Sequence, residues 1–299
     1  MALEIRPLHP VFAGEVSGID LTRPLTPEQV AALEAGMDRY AVLVYRGQDI
    51  NDEQQIAFSQ NFGKLELPDN KSNITKTKDR RLRAELADVS NLNKENKPYA
   101  RDDRQRMFNL GNQLWHSDSS FRVIPAKYSL LSGRHIPSEG GNTEFADMRA
   151  AYDALDQRMK DRIEDLVCEH SLLFSRGLLG FDEVSADEKK NFKPVRQRLV
   201  RTHPVTGRKS LYLSAHAGGI VGWPVPEARA LLRDLTEHAT QREFVYAHVW
   251  KQYDLVQWDN RQTMHRARPF RDTEEVRDVR RTTVGGDQPT IEQEEAAAA

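Results

Sequence analysis

Near the middle of the chain stands Trp115-His116-Ser117-Asp118, in which a histidine and an aspartate are separated by one residue. In an extended segment successive side chains point to opposite faces, so we expect His116 and Asp118 to point the same way. Imidazole nitrogens and carboxylate oxygens both bind first-row metals, so the pair can hold one ion. A lone His-x-Asp pair is also common on polar surfaces, and the prediction needs further residues.

His265 is the candidate for a third ligand. It follows residues 254–260, whose apolar centre predicts a buried strand that ends in a turn. Two imidazoles and one carboxylate form a facial triad, which leaves about three positions of an octahedral Fe(II) open. A structural zinc site would leave none. The three residues therefore predict an iron site for a reaction that needs a chelating cosubstrate and dioxygen.

The spacing of further polar residues strengthens this prediction. Asp118 is followed after 24 intervening residues by Thr143, then after 121 by His265 and after 11 by Arg277. This pattern resembles that of the taurine and 2,4-dichlorophenoxyacetate dioxygenase family, whose members depend on Fe(II) and 2-oxoglutarate. The resemblance covers nearly the whole chain and looks closest to the 2,4-dichlorophenoxyacetate branch. The runs that carry it include Gly140-Gly141-Asn142-Thr143-Glu144-Phe145, Asp147-Met148-Arg149-Ala150-Ala151-Tyr152 and His238-Ala239-Thr240-Gln241-Arg242-Glu243-Phe244.

The resemblance implies the family's fold, which is mainly β with flanking helices: a double-stranded β-helix, or jelly roll, with the metal at its open end. Short apolar segments separated by turns independently favour a β-sandwich or barrel. The strand candidates are residues 41–45, 128–131, 142–145, 199–202, 211–214, 244–250, 255–258 and 279–284.

Four segments predict helices. Thr26-Pro27-Glu28-Gln29 has the capping-box pattern with proline at the first helical position, and Asn51 can cap a second helix through about residue 61. Apolar residues at helical spacing predict two more helices, at residues 147–166 and 226–239.

The length and composition favour one large domain. With 299 residues and 38% hydrophobic residues the chain can bury a substantial core, and we expect a single domain over residues 1–287. Residues 70–103 are polar and rich in lysine and arginine, apart from the strand-like Ala87-Asp88-Val89-Ser90, and predict a mobile active-site loop. The acidic and then alanine-rich tail at residues 288–299 predicts disorder.

The composition also excludes several classes of function. A net charge of −2, from 43 basic and 45 acidic residues, offers no field that would recruit nucleic acid or an anionic membrane. No segment resembles a membrane span or the apolar core of a signal peptide. Cys168 is the only cysteine and lies in an apolar stretch, which indicates a buried thiol in a reducing compartment. We expect a soluble cytoplasmic protein, and we also expect a homo-oligomer.

The resemblance implies that 2-oxoglutarate and O2 are cosubstrates. 2-Oxoglutarate chelates the iron and needs a cation for its distal carboxylate, and the matching family positions are Arg277 and Thr143. An arginine fork can donate two charge-assisted hydrogen bonds, and a threonine hydroxyl adds a third without adding charge. Without the triad upstream, Arg277 would be interpreted as part of a solvated basic surface.

A second arginine points to the substrate. Residues four apart on a strand share a face, so Arg281 should point into the same cavity as Arg277, whereas Arg280 should point away. The resemblance places a substrate-binding arginine at Arg281. A second cation beside the iron indicates a small anionic substrate, and the resemblance implies that this substrate is aromatic.

Three weaker candidates complete the site. The resemblance places His216 near the substrate ring or ether oxygen, although a satisfied loop histidine is an equal alternative. Lys71 and Lys97 lie in the polar loop and could assist at the carboxylate, with three competing lysines nearby: Lys76, Lys78 and Lys94.

These residues together predict an Fe(II)- and 2-oxoglutarate-dependent dioxygenase. We expect it to hydroxylate the carbon next to the ether oxygen of an aryloxyalkanoic acid such as 2,4-dichlorophenoxyacetate, as in herbicide degradation. The products would be a phenol, glyoxylate or pyruvate, succinate and CO2. The alternatives are a related dioxygenase acting on a sulfonate, an alkyl sulfate or a phenylpropanoid acid, and a jelly-roll binding protein that retains a metal without turnover.

Overall fold

The computed structural model describes residues 3–68, 80–181 and 184–293. The strands in these ranges are β1 (Glu4–Pro7), β2 (Gly14–Ser17), β3 (Val42–Tyr45), β4 (Ala87–Asp88), β5 (Tyr128–His135), β6 (Thr143–Asp147), β7 (Val167–His170), β8 (Val195–Arg198), β9 (Val200–Thr202), β10 (Lys209–Leu211), β11 (Ala217–Ile220), β12 (Val245–His248), β13 (Leu255–Asp259), β14 (Thr263–Ala267) and β15 (Asp278–Val284). The α-helices are α1 (Pro27–Tyr40), α2 (Asp52–Gln60), α3 (Arg104–Asn109), α4 (Met148–Ala154), α5 (Gln157–Ile163), α6 (Leu172–Gly177), α7 (Ala186–Asn191) and α8 (Val225–Ala239).

Two sheets form the centre of the molecule. The larger has seven strands in the order β1-β2-β3-β13-β5-β15-β4, and all its pairs are antiparallel except β2 with β3. The smaller has the order β12-β6-β14, and both of its pairs are antiparallel. Two further small sheets, β11-β7-β8 and β10-β9, lie beside α4 and α8.

Side chains of the two central sheets meet in a common core. Val256 and Trp258 of β13 and Val279 of β15 belong to the same buried cluster as Phe145 of β6. The rings of Phe145 and Trp258 lie 5.4 Å apart between their centroids. Such interdigitation of two inner faces is the packing of a β-sandwich. A second cluster covers the outer face of the large sheet with α1 and α2.

The helix starts predicted from capping residues are confirmed. Thr26 and Asn51 both accept a hydrogen bond from the backbone three residues later, and the glutamine at that position bonds back to the cap backbone. These reciprocal bonds satisfy donors that a helix N-terminus leaves without partners. The signal is local, which explains why the sequence alone revealed it.

One predicted helix and one predicted strand differ from the structure. The helix expected over residues 147–166 is two helices, because Asp156 takes an extended backbone and its side chain caps α5 by accepting from the Met159 amide. An aspartate gains more from such a cap than from a helix interior. The strand expected at residues 211–214 is β10, which ends at Leu211.

Several strands escaped prediction from the sequence: β1, β2, β7, β8, β11 and β14. They are only four or five residues long, and their polar content hides the apolar alternation. Pairing with distant strands stabilises them, so a local pattern cannot reveal them.

The described part of the polar loop is anchored to the large sheet. The strand-like segment predicted at residues 87–90 contains β4, which pairs with β15. Arg81 forms ion pairs with Asp88 at 2.7 Å and with Asp278 at 2.8 Å. Residues 80–103 therefore form a wall of the molecule. Residues 69–79, with Lys71, Lys76 and Lys78, lie outside the described residues.

The C-terminal tail differs in part from the expected disorder. The Thr290 hydroxyl donates to Gln197 at 2.6 Å, and Gln293 exchanges two hydrogen bonds with the Arg196 backbone. These bonds satisfy the free edge of β8, a local benefit that composition does not show. Residues 294–299 lie outside the described residues. No helix in the described ranges is long and apolar enough to cross a membrane.

Candidate active site

The backbone holds the two histidines side by side. His116 donates its amide to the His265 carbonyl at 3.0 Å, and the His265 amide donates back to His116 at 2.8 Å. His265 lies on β14, where it also pairs with Phe145 of β6. His116 itself belongs to no strand. These two hydrogen bonds form an isolated β-bridge that joins its backbone to β14. The bridge brings together residues that are about 150 positions apart in the sequence.

Asp118 lies at the start of a turn rather than in the extended segment that we expected. Its amide donates to Asn260 at 3.1 Å, and its Oδ2 accepts from the Ser129 hydroxyl at 2.8 Å. Asn260 in turn donates to Ser129 at 3.0 Å and accepts from the indole of Trp258, also at 3.0 Å. This buried network sets the orientation of the carboxylate.

The three predicted ligands converge. Ligand atoms of His116, Asp118 and His265 all lie within 4.8 Å of one another, and all three side chains are buried. Nε2 of His116 is 3.9 Å and Nε2 of His265 is 3.7 Å from the Asp118 carboxylate. The Nδ1–H of His116 donates to the Leu114 carbonyl at 2.7 Å, which leaves Nε2 free for a metal.

The protonation states suit a metal as well. Burial lowers the pKa of His116 and lowers the pKa of His265 well below its usual value. Burial acts to raise the pKa of Asp118, but Arg281 and the two imidazoles outweigh it and hold that pKa below its usual range. Two neutral imidazoles and one carboxylate are the forms that bind metal. The residues present therefore fit Fe(II).

Thr143 and Arg277 both lie beside the side chain of Trp250. The Trp250 indole donates to the Thr143 hydroxyl at 3.0 Å, and the Arg277 guanidinium lies 6.0 Å from the centre of the Trp250 ring. Burial lowers the pKa of Arg277 to about 10. Within the described ranges this guanidinium has no carboxylate partner, and its Nε has no hydrogen-bond partner. A buried cation of this kind calls for an anionic ligand.

Arg280 and Arg281 point to opposite sides of β15, as predicted. Arg280 pairs with Asp52 at 2.8 Å and with Asp278 at 2.9 Å, away from the triad. Arg281 contacts the carboxylate of Asp118.

Arg281 and Arg277 line two adjoining cavities, rather than the single cavity that we expected. A cavity of about 510 Å³ contains Arg281 with His116 and Asp118 in its wall, and one of about 210 Å³ contains Arg277. Four residues of extended backbone span roughly 13 Å, so the two arginines leave the chain at well-separated points. The cavities share five wall residues: Val89, Ser90, Tyr99, Asn109 and Asn112.

His216 lies in the wall of the larger cavity. Its ring packs edge-on against Phe121, at 4.9 Å between centroids, and against His116, at 6.1 Å. Its Nδ1 is 2.9 Å from the Ser175 hydroxyl. Burial lowers the pKa of His216 well below its usual value, so the ring is neutral. A neutral ring at this place can contact a substrate ring.

The expected role of Lys97 finds no support in the structure. Lys97 is exposed and does not line the larger cavity, and its backbone closes a turn with Asn93. Lys94 does line this cavity.

Sequence reasoning missed Arg176 of α6, a buried charged residue of this wall. It also missed the aromatic wall formed by Tyr99, Phe108 and Phe121. No spacing rule marks these residues, because α6 is only six residues long and the aromatic side chains come from irregular segments and from α3. The one available signal was an arginine that directly follows a largely apolar stretch, in Leu172-Leu173-Phe174-Ser175-Arg176.

Comparisons with known proteins point to one family. The family model described as "Taurine catabolism dioxygenase TauD, TfdA family" matches residues 4–283. The alpha-ketoglutarate-dependent 2,4-dichlorophenoxyacetate dioxygenase of Cupriavidus pinatubonensis is 48% identical over 286 residues, which cover 95% of this chain and 98% of that protein. The (S)-phenoxypropionate/alpha-ketoglutarate-dioxygenase of Sphingobium herbicidovorans is 37% identical, with 96% of each covered. A crystal structure of AAD-2 in complex with Mn(II) and N-oxalylglycine is 60% identical, with a TM-score of 0.91 and coverage of 98% of this chain and 100% of that one.

Proposed function

The chain belongs to the TauD/TfdA dioxygenase family, and on that premise we propose that it hydroxylates an aryloxyalkanoic acid at the carbon next to the ether oxygen. The enzyme is an Fe(II)- and 2-oxoglutarate-dependent dioxygenase. With 2,4-dichlorophenoxyacetate the hydroxylated product is a hemiacetal, which collapses to a phenol and glyoxylate. A propionate substrate gives pyruvate instead. Succinate and CO2 form from 2-oxoglutarate.

The arrangement of charges around the triad is the observation that carries this proposal. His116, Asp118 and His265 converge, and the first two of them line a cavity whose wall also contains Arg281. Arg277 is buried without a carboxylate partner in the adjoining cavity. One arginine is thus available for the distal carboxylate of 2-oxoglutarate and another for the carboxylate of a substrate.

Each site residue then has a definite task. His116, Asp118 and His265 hold Fe(II), which supplies the oxygen chemistry when it is bound: O2 oxidises 2-oxoglutarate to succinate and CO2 and inserts one oxygen atom into a substrate C–H bond. Arg277 and Thr143 bind the distal carboxylate of 2-oxoglutarate. Two guanidinium N–H groups donate to its oxygens, and the Thr143 hydroxyl adds a third hydrogen bond.

Arg281 holds the substrate carboxylate and thereby orients the carbon beside the ether oxygen toward the metal. The aromatic ring then faces Phe121 and His216, which lie in contact in the wall of the same cavity. Apolar side chains at this wall exclude water from the reacting carbon. Lys94 replaces Lys97 as the loop lysine that lies near an anionic substrate.

The test is anaerobic reconstitution with Fe(II), followed by oxygen uptake and succinate release on a substrate panel. The panel contains phenoxyacetate, both phenoxypropionate enantiomers, cinnamate, taurine and an alkyl sulfate. Coupled formation of succinate and phenol from an aryloxyalkanoate supports the proposal. If succinate forms only with taurine, the sulfate or cinnamate, the dioxygenase reaction is supported and the aryloxyalkanoate substrate class is refuted. A guanidinium also binds sulfonates and sulfates, so Arg281 would fit such a substrate.

Four structural expectations belong to this proposal. We propose that the two packed sheets form the jelly roll of a single domain over residues 1–287, and that the loop at residues 70–103 covers the active site. Its described residues Arg80, Asn93 and Tyr99 support this, because they line the larger cavity. We also propose a cytoplasmic location, where a reducing environment suits Fe(II) and the free Cys168. Homo-oligomer formation is tested by size-exclusion chromatography with light scattering.

A further inference from the structure

Arg176 is a buried arginine in the wall of the substrate cavity. Its side chain is only 7% exposed, and it lines the same cavity as His116, Asp118 and Arg281. Its guanidinium lies 4.4 Å from the centre of the Phe108 ring. One hydrogen bond holds it, from Nη1 to the Ser175 hydroxyl at 3.2 Å. The arginine is therefore fixed in place by an aromatic face and a neutral hydroxyl.

The charge of Arg176 is not compensated by the protein. Across the residues that the structure describes, it has no ion pair with a carboxylate, and its Nε has no hydrogen-bond partner. Burial lowers its pKa to about 10, so it still carries a full charge at neutral pH. Other buried arginines show the usual arrangement: Arg149 pairs with Asp147 at 2.8 Å, and Arg261 pairs with Asp259 at 2.7 Å. Burying a charge without a partner costs stability.

Arg277 shows the same properties as Arg176. Both arginines are buried, both have a pKa lowered to about 10 by burial, and both stack near an aromatic ring without a carboxylate. Arg277 is the arginine proposed above to receive the carboxylate of 2-oxoglutarate. By the same physical argument, we expect Arg176 to bind an anion in the larger cavity.

Two other arginines of the larger cavity have acidic neighbours within the protein. Arg81 pairs with Asp88 and Asp278, and Arg281 contacts Asp118. Arg176 differs from both of these arginines, since no acidic side chain in the described part of the chain competes with a ligand for it.

The surroundings of Arg176 keep its guanidinium at this place. A Cβ atom at Gly111 would overlap the guanidinium, so only glycine permits its close approach. Ser175 donates its hydroxyl hydrogen to the Leu172 carbonyl at 2.7 Å, and its oxygen can then accept from Arg176 and from Nδ1 of His216 together. Arg176 and His216 are therefore held side by side by one hydroxyl group.

We propose that Arg176 is a second anion-binding residue of the substrate site, which shares the carboxylate of the aryloxyalkanoic acid with Arg281. The inference rests on the proposed substrate class and deepens it. Arg281 approaches from the large sheet and Arg176 from α6, so a carboxylate between them is held from two walls. Neutral substrates and short acids that cannot reach both arginines are disfavoured.

The experiment compares a charged ligand with a neutral one. Isothermal titration measures the binding of phenoxyacetate and of phenoxyacetamide to anaerobic protein loaded with Fe(II) and 2-oxoglutarate. The variants are Arg176→Gln, which removes the charge, and Arg176→Lys, which keeps it. Arg229→Gln is the matched control, because Arg229 also stacks on an aromatic ring, that of Phe174 at 4.8 Å, but is exposed on α8 and outside the cavity.

Arg176→Gln should weaken binding of the acid about tenfold or more and leave binding of the amide within about twofold. Arg176→Lys should retain part of the preference for the acid, and Arg229→Gln all of it. Without ligand, Arg176→Gln should unfold at the same or a higher temperature than the wild type, because an uncompensated buried charge is removed. An equal loss for acid and amide, or unchanged binding of the acid, overturns the proposal.

Turnover separates this inference from the proposed reaction. If the wild type releases no phenol but binds phenoxyacetate more tightly than the amide, the proposed reaction fails. The effect of Arg176→Gln on that preference still decides the role of Arg176. If the reaction is observed and the preference for the acid survives Arg176→Gln, the proposed function stands and the role of Arg176 is refuted.

Discussion

Replacement of Arg277 by glutamine tests the binding of 2-oxoglutarate in quantitative terms. The guanidinium is buried and makes one long hydrogen bond, 3.4 Å from Nη1 to the Val89 carbonyl, so the distal carboxylate would be its main partner. Removing one member of a buried ion pair costs about 3–5 kcal/mol. At about 1.4 kcal/mol per factor of ten, the KM for 2-oxoglutarate should rise roughly 100- to 4,000-fold. Arg277→Lys keeps the charge but loses the fork, and should have a smaller effect of about tenfold or more.

Arg280 of β15, three residues after Arg277, offers a control. It forms ion pairs with Asp52 and Asp278 on the opposite side of β15, so Arg280→Gln should leave the KM for 2-oxoglutarate within about twofold. The assay is succinate release at varied 2-oxoglutarate, with and without substrate. A parallel thermal unfolding series should show that 2-oxoglutarate stabilises the wild type and Arg280→Gln but not Arg277→Gln. An unchanged KM in Arg277→Gln, or an equal rise in Arg280→Gln, refutes the reasoning.

Three further predictions concern the metal site, the substrate and the buried core. His116→Ala should abolish turnover and lower Fe(II) affinity by at least about tenfold, measured by equilibrium dialysis; retained affinity contradicts the triad. Arg281→Ala should raise the substrate KM about tenfold or more but spare decarboxylation of 2-oxoglutarate without substrate, and equal loss of both activities would indicate a structural arginine. Burial lowers the pKa of His170 to about 3, so the unfolded chain takes up a proton below pH 6.5 that the folded protein resists. Stability should therefore fall as the pH drops from about 6.5 toward 3, and urea unfolding should show that His170→Gln weakens this dependence.

Local chemistry explains which parts of the fold were predictable from the sequence. Thr26 and Asn51 predict the starts of α1 and α2, because a capping residue and its partner are only three residues apart. The strands β5, β13 and β15 were predictable for the same reason, since their apolar or β-branched residues are contained in the strand itself. By contrast, β14, which carries His265, has a polar sequence that does not predict a strand. It is a strand because β6 lies beside it.

The chain by itself determined the chemistry of the site: two imidazoles, a carboxylate and two arginines at family spacing. It determined these because the reaction demands particular atoms, and those atoms appear directly as residue types. Only the tertiary structure decided how the residues share space. Arg277 and Arg281 line two adjoining cavities, Lys97 is exposed, and Arg176 lies beside the triad with no acidic partner among the described residues. Burial and the distance between charges depend on contacts across the whole chain, and no local pattern encodes them.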